Sequence, residues 1–472
     1  MINTKIKNIY MIAICGTAMG SLAAMLKSRR YHVTGSDNHV YPPMSTFLLS
    51  QGIKVFEGFD ADHLSPKPDL VIIGNAMSRG NPEVEAVLER KIPYTSMPDA
   101  LKNFFIQGKN SIVVSGTHGK TTISSLIAWL LEYGGKDPSF LIGGIPRNFE
   151  QGFKIGKSDL FVVEGDEYDS AFFDKSAKFF HYLPHVLVVN NIEFDHADIY
   201  DDLNQIKLAF RRLINLVPRN GLLLANIDDS NVMELSSKAF SPVQTFGLHK
   251  DAYWQADNIK FYADHTSFDI IKQGKPFSSL SVQLTGSHNI RNTLAAIGAV
   301  HFYGLIPQQI REGLPLFRNI IKRLEVKANI NAITIYDDFA HHPTKVSSTI
   351  NGLRCRFPDQ KIWAVFEPRT ATSKRKIMED QYAAAFDEAD VTIIASLHLP
   401  EKVTMEERLS VEVLVEKIKN RNKQAYYIPS VQEITDFISS RVEPGDHILI
   451  MSNGSFDNIH QVLINKLQQN MD

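Results

Sequence analysis

Short apolar runs alternate along the chain with longer segments in which apolar residues recur at helical spacing. The first run covers residues 9–14, helical spacing follows over residues 22–26, and a second strand-like run covers residues 31–34. This order predicts a strand, a helix and a parallel strand, a βαβ unit. Asp37 follows the second strand where dinucleotide-binding folds hold a ribose, although Ala13 stands where their fingerprint has glycine.

The most informative segment predicts a strand, a glycine-bearing loop and a helix over residues 113–131. The loop reads Gly116-Thr117-His118-Gly119-Lys120-Thr121-Thr122. Such a loop binds a triphosphate because backbone N–H groups and the helix N-terminus attract phosphate oxygens. We expect Lys120 to neutralise the β- and γ-phosphates and Thr121 to offer its hydroxyl to Mg²⁺. Val114 stands where the usual phosphate loop has its first glycine, which indicates a narrower class of loop.

Further buried strand-like runs predict two more α/β units. They cover residues 160–164 and 186–190 in the middle of the chain, and residues 334–336, 362–366, 391–395 and 447–451 towards its end. Strands that alternate with helices form mostly parallel sheets. We therefore predict an α/β protein of three domains. These are a Rossmann-like domain over residues 1–108, a central phosphate-loop ATPase domain over residues 109–319, and a Rossmann-like domain over residues 320–472.

Composition and charge exclude several classes of protein. The 472 residues exceed what one hydrophobic core usually serves, and the formal net charge of -2 gives no general attraction to nucleic acid or membrane. The two cysteines, Cys15 and Cys355, are far apart in sequence and favour a reducing compartment. No apolar segment is long enough to span a bilayer, and no signal-peptide cleavage site follows the N-terminus. We therefore expect a cytoplasmic protein.

Acidic residues and a histidine follow two buried strands of the central domain. Glu164 ends one strand and opens an acidic cluster over residues 164–169, and His196 closes the segment after the next strand. Because the carboxyl ends of parallel strands collect ligands, we expect Thr121, Glu164 and His196 to converge there. Oxygen ligands with one imidazole suit Mg²⁺ or Mn²⁺ beside phosphates.

Polar residues at a helix start and after a strand are further candidates for the nucleotide site. Asn289 and Asn292 belong to a His-Asn-x-x-Asn pattern at the start of a predicted helix, where their amides can read a base edge. The alternative for Asn289 is N-terminal capping of that helix. Asp338 and His341 lie between a strand and a helix of the third domain, again at the edge where ligands bind.

Two loops at other strand ends leave two interpretations open. Asn75 lies in the loop after the strand over residues 70–73, and that loop either meets phosphate with its amides or is an ordinary turn. Arg369 follows the strand over residues 362–366. Its guanidinium is either placed to bind a carboxylate or phosphate, or belongs to an ordinary surface residue.

Taken in order, these segments resemble the Mur ligases, ATP-dependent amide-forming enzymes of peptidoglycan metabolism with three α/β domains. The resemblance covers about residues 9–463. It rests on the loop over residues 116–122, Glu164, His196, the pattern over residues 288–292 and Asp338-x-x-His341-His342-Pro343. Other motifs are similar to those of the branch of the family that recycles peptidoglycan. They are Tyr41-Pro42-Pro43-Met44-Ser45, Glu164-Gly165-Asp166-Glu167-Tyr168-Asp169, Ala171-Phe172-Phe173-Asp174-Lys175, Phe339-Ala340-His341-His342, Phe366-Glu367-Pro368-Arg369 and Met451-Ser452-Asn453-Gly454.

The resemblance implies a reaction and its substrates. ATP converts the carboxylate of UDP-N-acetylmuramate into an acyl phosphate, with Mg²⁺ or Mn²⁺ as cofactor. The amine of the tripeptide L-alanyl-γ-D-glutamyl-meso-diaminopimelate then attacks the acyl carbon, and ADP is released. Neither nucleic acid nor membrane is an expected partner, and the oligomeric state stays open.

The resemblance also implies roles for individual residues. The expected catalytic residues are Lys120, Glu164 and His196, and the expected metal ligands are Thr121, Glu164 and His196. Those expected to bind the nucleotide are Gly116, Thr117, His118, Gly119, Lys120, Thr121, Thr122, Asn289, Asn292, Arg323, Asp338 and His341. Those expected to bind the UDP-sugar are Gly16, Thr17, Ser36, Asp37 and Asn75. The third domain is expected to close over ATP, and Arg369 to serve either phosphate or the peptide.

Two departures from the family pattern change the expectations. Several Mur ligases carry a carbamylated lysine after the metal-binding histidine. The best-aligned position here is Arg211, with Lys207 one helical turn earlier, so we expect no carbamate. The segment Thr370-Ala371-Thr372 lacks an asparagine that often follows this arginine in the recycling branch. Recognition of the distal end of the peptide therefore stays open.

Three alternatives remain. The nearest is the same chemistry with L-alanine alone as acceptor. Folylpolyglutamate synthase shares the phosphate loop, but the first βαβ unit and the block Phe194-Asp195-His196-Ala197-Asp198 count against it. A UDP-sugar sensor without catalysis is expected to lack Lys120, Glu164 or His196, and all three are present.

Overall fold

The protein was analysed as a computed structural model, which describes residues 6–197 and 199–469. Asp198, the last residue of the block used against the synthase alternative, lies outside the described residues. The described chain forms three large sheets in sequence order and one two-stranded hairpin, with helices between the strands. None of the helices in this part of the chain is both long and apolar enough to cross a membrane.

The first sheet consists of five parallel strands. They are β1 (Asn8–Ile12), β2 (His32–Asp37), β3 (Lys54–Glu57), β4 (Leu70–Ile73) and β5 (Tyr94–Ser96), in the order β3-β2-β1-β4-β5. The helices are α1 (Thr17–Ser28), α2 (Met44–Ser50), α3 (Pro82–Glu89) and α4 (Met97–Leu101). Because the chain continues from β1 to one side and later returns to the other, the carboxyl end of β1 is a topological switch point, where such sheets bind ligands.

The second sheet consists of ten strands around the predicted phosphate loop. The strands of this part of the chain are β6 (Asn110–Ser115), β7 (Ser139–Leu141), β8 (Phe153–Lys154), β9 (Leu160–Gly165), β10 (Asp169–Ala171), β11 (Asp174–Ala177), β12 (Pro184–Val189), β13 (Leu222–Asn226), β14 (Val243–Gly247), β15 (Trp254–Phe261), β16 (Thr266–Lys272) and β17 (Lys275–Val282). The sheet order is β17-β16-β15-β14-β13-β12-β6-β9-β7-β8, and β10 and β11 form the separate hairpin. The helices are α5 (Lys120–Tyr133), α6 (Leu203–Ile214), α7 (Ser230–Ser236), α8 (Ser287–Phe302) and α9 (Pro307–Gly313).

Strand β6 lies between β9 and β12 and pairs with both in parallel. Its alternate residues face two different cores, Val113 on one side and Ile112 and Val114 on the other. Burial of both faces explains the continuous apolar runs from which these strands were predicted. The carboxyl end of β6 is therefore a second topological switch point.

The third sheet consists of six strands. They are β18 (Glu325–Ile330), β19 (Ile333–Asp338), β20 (Ile362–Phe366), β21 (Val391–Ile394), β22 (Gln424–Tyr427) and β23 (His447–Met451), in the order β18-β19-β23-β20-β21-β22. Within the third sheet, the described strands pair in parallel except for β18 and β19 at its edge, which are antiparallel. The helices are α10 (Pro343–Arg356), α11 (Glu379–Ala385), α12 (Val411–Lys419), α13 (Val431–Ser439) and α14 (Ile459–Gln469).

The predicted α/β class with mostly parallel sheets is confirmed, and β4, β20 and β23 have the predicted limits. Strands β18 and β22 were not predicted, because these edge strands bury few of their side chains and so lack a continuous apolar run. Glu164 and Asp338 lie within β9 and β19, near the end of each strand, whereas Asp338 was predicted to follow its strand. Their side chains are therefore held by the sheets themselves.

Candidate active site

The loop between β6 and α5 has two positions at which the backbone favours glycine. Gly116 has φ +131° and Gly119 has φ +87°. At Gly119 a Cβ atom would lie 2.5 Å from Nδ2 of Asn190 and 2.6 Å from Oδ1 of Asn292. Glycine is required there by backbone conformation and by lack of space, because the loop runs directly against two side-chain amides.

Hydrogen bonds to the segment after β12 fix the shape of this loop. The backbone N–H of Thr117 donates to the carbonyl of Asn191 at 3.0 Å, and that of His118 donates to Oδ1 of Asn191 at 2.6 Å. The N–H of Glu193 donates to Oγ1 of Thr117 at 2.9 Å. The first N–H groups of α5, which begins at Lys120, have no acceptors within the helix and form an anion-binding end beside the fixed loop.

Lys120 is held in a buried network of charges. Its Nζ donates to the carbonyl of Gly116 and to Oε2 of Glu167, both at 2.8 Å, and the Glu167 side chain is 2% exposed. Burial alone lowers the pKa of Lys120, but the carboxylates of Glu167 and Asp166 outweigh it, so the pKa lies above its ordinary value. Lys120 is therefore charged. Glu167 belongs to the acidic cluster seen in the sequence, but its partnership with Lys120 was not predicted.

The predicted metal ligands fall into two neighbouring groups. Oγ1 of Thr121 donates to Oε2 of Glu164 at 3.2 Å, and the other carboxylate oxygen accepts from the N–H of Gly143 at 2.7 Å. His196, which has φ +57°, instead places Nε2 2.9 Å from Oε1 of Glu167. Burial raises the pKa of Glu164. Burial opposes protonation of His196, but its hydrogen bond to Glu167 raises the pKa of the imidazole.

A cavity of about 800 Å³ brings most of the predicted residues together. The predicted residues that line it are Thr117, His118, Gly119, Lys120, Thr121, Thr122, Glu164, His196, Asn289, Asn292, Arg323, Asp338 and His341. Gly116 is not part of this lining and lies beneath it, where its carbonyl accepts from Lys120. The residues predicted for the UDP-sugar and Arg369 do not line the cavity either, although Ala18 of α1 and Met97 of α4 do.

Asn289 and Asn292 support the loop. Oδ1 of Asn292 accepts from Nδ2 of Asn190 at 3.2 Å, and its Nδ2 donates to Oδ1 of Asn289 at 3.1 Å. Helix α8 has Gly286 as its N-cap and no capping side chain, so the alternative of capping by Asn289 is wrong. The amides that were predicted to read a base edge are thus engaged with each other and with Asn190, directly beside Gly119.

Arg323, Asp338 and His341 form the wall of the cavity that the third sheet contributes. Asp338 accepts from the N–H groups of Leu324 at 2.7 Å and Ala340 at 2.8 Å, and burial raises its pKa. The guanidinium of Arg323 lies 5.2 Å from the centre of the Phe339 ring. Burial lowers the pKa of His341 to about 3, so its imidazole is neutral.

Lys345 also lines this cavity and was missed in the sequence, where it follows the His-His-Pro motif without any signal of its own. Burial and the charges of Arg323 and Lys120 lower the pKa of Lys345 to about 7. Three basic side chains from two sheets thus repel one another around a single space. An anion in that space relieves the repulsion, as a triphosphate does.

Two threonine side chains of the third unit donate hydrogen bonds to the central unit beside the cavity. Oγ1 of Thr372 donates to Oδ1 of Asp195 at 2.8 Å, and Oγ1 of Thr344 donates to Oε2 of Glu193 at 2.5 Å. The segment between β12 and α6 therefore contacts both the phosphate loop and the third sheet.

The residues predicted for the UDP-sugar lie at the carboxyl edge of the first sheet. Asp37 accepts from the N–H of Cys15 at 2.9 Å and so fixes the loop after β1. Ser36 is fully buried and donates to Oε2 of Glu83 at 2.5 Å, so its hydroxyl faces the interior. Gly16 is the N-cap of α1, Thr17 is the first residue of that helix, and Asn75 is exposed at the end of β4.

Arg369 lies at the carboxyl edge of the third sheet. Its Nη1 is 3.5 Å from Oε1 of Glu367, and the other oxygen of that carboxylate accepts from Oγ of Ser452 at 2.5 Å. A Cβ atom at Gly454 would lie 2.4 Å from Cζ of Arg369, so the guanidinium packs directly over that glycine. The arginine therefore belongs to a mixed-charge cluster and is not a freely solvated surface residue.

Three domain families match this chain in the order of its three sheets. They are the Mur ligase family catalytic domain over residues 8–108, the Mur ligase middle domain over residues 114–300, and the Mur ligase glutamate ligase domain over residues 322–454. The chain therefore belongs to the Mur ligase family, which confirms the resemblance seen in the sequence.

Among individual proteins, the chain is similar to ligases named for a peptide acceptor. It is 43% identical over 464 residues to the UDP-N-acetylmuramate–L-alanyl-γ-D-glutamyl-meso-2,6-diaminoheptandioate ligase of Haemophilus influenzae, covering 98% of this chain and 99% of that protein. It is 42% identical over 462 residues to the ligase of the same name from Escherichia coli, covering 97% and 98%. With the UDP-N-acetylmuramate–L-alanine ligase of Alkaliphilus metalliredigens the identity is 32% over 461 residues, covering 98% and 97%.

A solved structure agrees with these relatives. The crystal structure of a murein peptide ligase from Psychrobacter arcticus is 35% identical to this chain and superimposes with a TM-score of 0.72, covering 97% of this chain and 98% of that one. The similarity thus extends through all three sheets.

Proposed function

We propose that this protein is an ATP-dependent ligase that joins UDP-N-acetylmuramate to the tripeptide L-alanyl-γ-D-glutamyl-meso-2,6-diaminoheptandioate, in the recycling of peptidoglycan. The observation that carries this choice of acceptor is the identity of 42–43% to two ligases of that name, against 32% to an alanine ligase, all over nearly the whole chain. The convergence of a phosphate loop, buried carboxylates and basic side chains in one cavity supports the use of ATP.

The first step activates a carboxylate. An oxygen of the muramyl carboxylate attacks the γ-phosphorus of ATP, the bond to the β,γ-bridging oxygen breaks, and ADP and an acyl phosphate form. Catalysis of phosphoryl transfer depends on positioning and on neutralising charge. Lys120 carries the charge for this task and is held in place by the Gly116 carbonyl and Glu167. Arg323 and Lys345 supply further positive charge from the third sheet.

The second step forms the amide. The neutral amino nitrogen of the peptide attacks the acyl carbon, phosphate leaves with the bonding electron pair, and the surplus proton on nitrogen passes to solvent. The contacts of Thr372 with Asp195 and of Thr344 with Glu193 hold the third unit against the central one beside the cavity. Exclusion of bulk water by such contacts protects an acyl phosphate from hydrolysis.

The residues present fit a divalent cation of the Mg²⁺ or Mn²⁺ type. Thr121 and Glu164 offer two oxygens 3.2 Å apart beside the phosphate loop, and His196 lies with Asp166 and Glu167 in a second donor group. When bound, the cation supplies charge neutralisation to the phosphates. The two groups differ in chemistry, because only the second includes an imidazole.

We assign the remaining substrates by sheet edge. The carboxyl edge of the first sheet, with Gly16, Thr17, Asp37, Asn75 and the backbone of Ser36, binds the UDP-sugar, and Arg369 binds a carboxylate of the peptide. We assign the three domains to residues 1–108, 109–319 and 320–472. The unpaired thiols of Cys15 and Cys355 favour the cytoplasm as the site of action.

An acceptor assay tests the proposal. The purified protein is incubated with ATP, UDP-N-acetylmuramate and either the tripeptide or L-alanine, and both ADP release and product mass are measured. We expect the tripeptide adduct and ADP in equal amounts, with little product from L-alanine. Product from L-alanine alone would overturn the choice of acceptor, and absence of any adduct would overturn the ligase assignment.

A further inference from the structure

Two histidines and a glutamate meet between the central and third units, apart from both donor groups assigned to Mg²⁺. His118 belongs to the phosphate loop, Glu193 to the segment after β12, and His342 is the N-cap of α10. Nε2 of His118 lies 3.1 Å from Nδ1 of His342 and 3.6 Å from Oε2 of Glu193. Nδ1 of His342 lies 3.9 Å from the same carboxylate oxygen. The three donor atoms therefore surround one point.

The spacing of these atoms suits a small transition-metal ion. Donors bound to Zn²⁺ at about 2.0–2.1 Å in a tetrahedron lie roughly 3.3 Å apart. The observed separations of 3.1, 3.6 and 3.9 Å bracket that value. Two imidazoles and one carboxylate are a donor set of zinc sites, whereas Mg²⁺ prefers oxygen ligands.

The surroundings hold the donors ready for a metal. Nε2 of His342 lies 3.3 Å from the carbonyl of Phe194 and donates to it, which leaves the lone pair of Nδ1 towards the cluster. Oγ1 of Thr344 donates to the Glu193 carboxylate at 2.5 Å. Ligating histidines and carboxylates are oriented in this way by outer hydrogen bonds. The N–H of Thr344 also points at Nδ1 of His342 from 3.3 Å, and a bound ion displaces this long hydrogen bond.

Both imidazoles are available as ligands. His118 and His342 are 7% and 2% exposed, and burial lowers the pKa of each, which favours the neutral imidazole that a metal ion binds. His118 and Glu193 also line the large cavity, whereas His342 approaches from behind them. The cluster therefore borders the cavity, from which solvent can supply a fourth ligand.

We propose that His118, Glu193 and His342 form a binding site for a zinc-class divalent ion, distinct from the Mg²⁺ donor groups, that links the phosphate loop to the start of α10. The ion replaces the hydrogen bond between the two imidazoles by two metal–nitrogen bonds. It therefore fixes the third unit against the loop that receives ATP.

The test uses Co²⁺ as a spectroscopic probe on the full-length protein. The protein is stripped of metal with a chelator and titrated with Co²⁺ without nucleotide or substrate. We expect the intense visible absorption of four-coordinate Co²⁺ to saturate at one ion per chain, and to be lost when Zn²⁺ is added. Because no substrate is present, the result is independent of the proposed ligase activity.

Variants locate the ion. His342→Gln and Glu193→Gln each remove one ligand, and both are expected to abolish the intense band. The matched control is Glu164→Gln in the oxygen donor group of Thr121, which is expected to keep it. Circular dichroism checks that each variant is folded, and Glu193→Gln serves alone if His342→Gln is not. Absence of the band in the unaltered protein, its survival in Glu193→Gln, or its loss in Glu164→Gln would overturn the proposal.

Discussion

The loops after β1 and β6 are built alike but carry different charges. Each follows a strand at a topological switch point and leads into a helix whose N-cap is glycine, Gly16 for α1 and Gly119 for α5. The loop after β6 contains Lys120, which is paired with a buried carboxylate and lines the large cavity. The loop after β1 contains no lysine, and the carboxylate of Asp37 beside it accepts from the backbone N–H of Cys15.

This difference in charge suits the two loops to different tasks, one to binding a phosphate group and the other to transferring one. Backbone N–H groups and a helix N-terminus suffice to hold a diphosphate that does not react. A phosphoryl group in transfer spreads charge over its oxygens and needs cations to neutralise it. The loop after β6 has that charge and the loop after β1 does not, so we assign the reacting ATP to the former and the UDP group to the latter.

The largest expected effect comes from Lys120→Ala. Loss of the only lysine of the loop after β6 removes charge from the transferring phosphoryl group, so we expect kcat to fall by about 10²-fold or more. Steady-state ADP release measures the effect. The matched change in the other loop, Cys15→Ser, is expected to leave kcat close to that of the unaltered protein. Near-normal ATP consumption by Lys120→Ala would contradict the claim that the charge of the loop after β6 serves phosphoryl transfer.

Gly119→Ala tests the close packing of the loop after β6. The added methyl meets Asn190 and Asn292 and is strained at φ +87°, so we expect a loss of stability of about 1–3 kcal/mol together with weaker ATP binding. Gly108→Ala is the control, because Gly108 has φ +82° but no atom near its Cβ position. Denaturant unfolding and ATP titration compare the two. If both variants lose the same stability and the same affinity for ATP, the contacts of Gly119 with the two amides do not contribute to the effect.

Asp37→Ala tests the loop after β1. The change releases the N–H of Cys15, and loss of a hydrogen bond to a charged group costs about 1.5–3 kcal/mol. We therefore expect the KM for UDP-N-acetylmuramate to rise by roughly 10-fold or more while the KM for ATP stays unchanged. Asp37→Asn keeps an accepting oxygen, so its KM for UDP-N-acetylmuramate should lie between that of the unaltered protein and that of Asp37→Ala. A selective rise in the KM for ATP would reverse the assignment of the loops.

The Cys15 thiol reports the charge of the loop after β1. Burial and the nearby Asp37 carboxylate raise the pKa of Cys15 to about 11. The thiolate is the reactive form, so the alkylation rate should increase with pH up to about pH 11 and be slow at pH 8. Peptide mass mapping separates Cys15 from Cys355. Asp37→Asn should shift the profile to lower pH, and a midpoint near the ordinary thiol value in the unaltered protein would contradict this picture.

The smallest effect is expected from Ala13→Gly. Ala13 adopts φ +64°, a left-handed conformation in which glycine avoids the strain of the methyl group. Part of that gain is offset by the greater entropy of glycine in the unfolded chain, so we expect stabilisation of up to about 1 kcal/mol. Denaturant unfolding measures it. A clear loss of stability would mean that packing of the methyl group matters more than the backbone strain.

Local apolar runs were sufficient to predict the framework of the fold. The strands β6, β9 and β12 are buried on both faces, and the loop and helix after β6 follow directly in sequence. Edge strands such as β18 were not predictable in this way, because most of their side chains are exposed or only partly buried and form no continuous apolar run. Ala13 has a positive φ, the backbone conformation that a glycine would adopt without strain. The sequence alone showed only that Ala13 stands where the fingerprint has glycine.

Pairings between distant residues in the site were not predictable. Lys120 and His196 both contact Glu167, and the sequence showed only that acids lie near the end of β9. The meeting of His118 with His342 joins residues 224 positions apart and depends on how the third sheet packs against the central one. Side-chain partners in the site thus depend on tertiary packing, whereas the residue types of the phosphate loop are set within seven consecutive positions.

Oxygen-isotope transfer tests most directly the central claim that the protein activates a carboxylate by phosphoryl transfer from ATP. UDP-N-acetylmuramate labelled with ¹⁸O in its carboxylate is incubated with ATP, the tripeptide and the protein, and the released phosphate is analysed by mass spectrometry. If the carboxylate is activated as an acyl phosphate, each phosphate released carries one labelled oxygen. Phosphate without label, formed together with the amide product, would contradict the account.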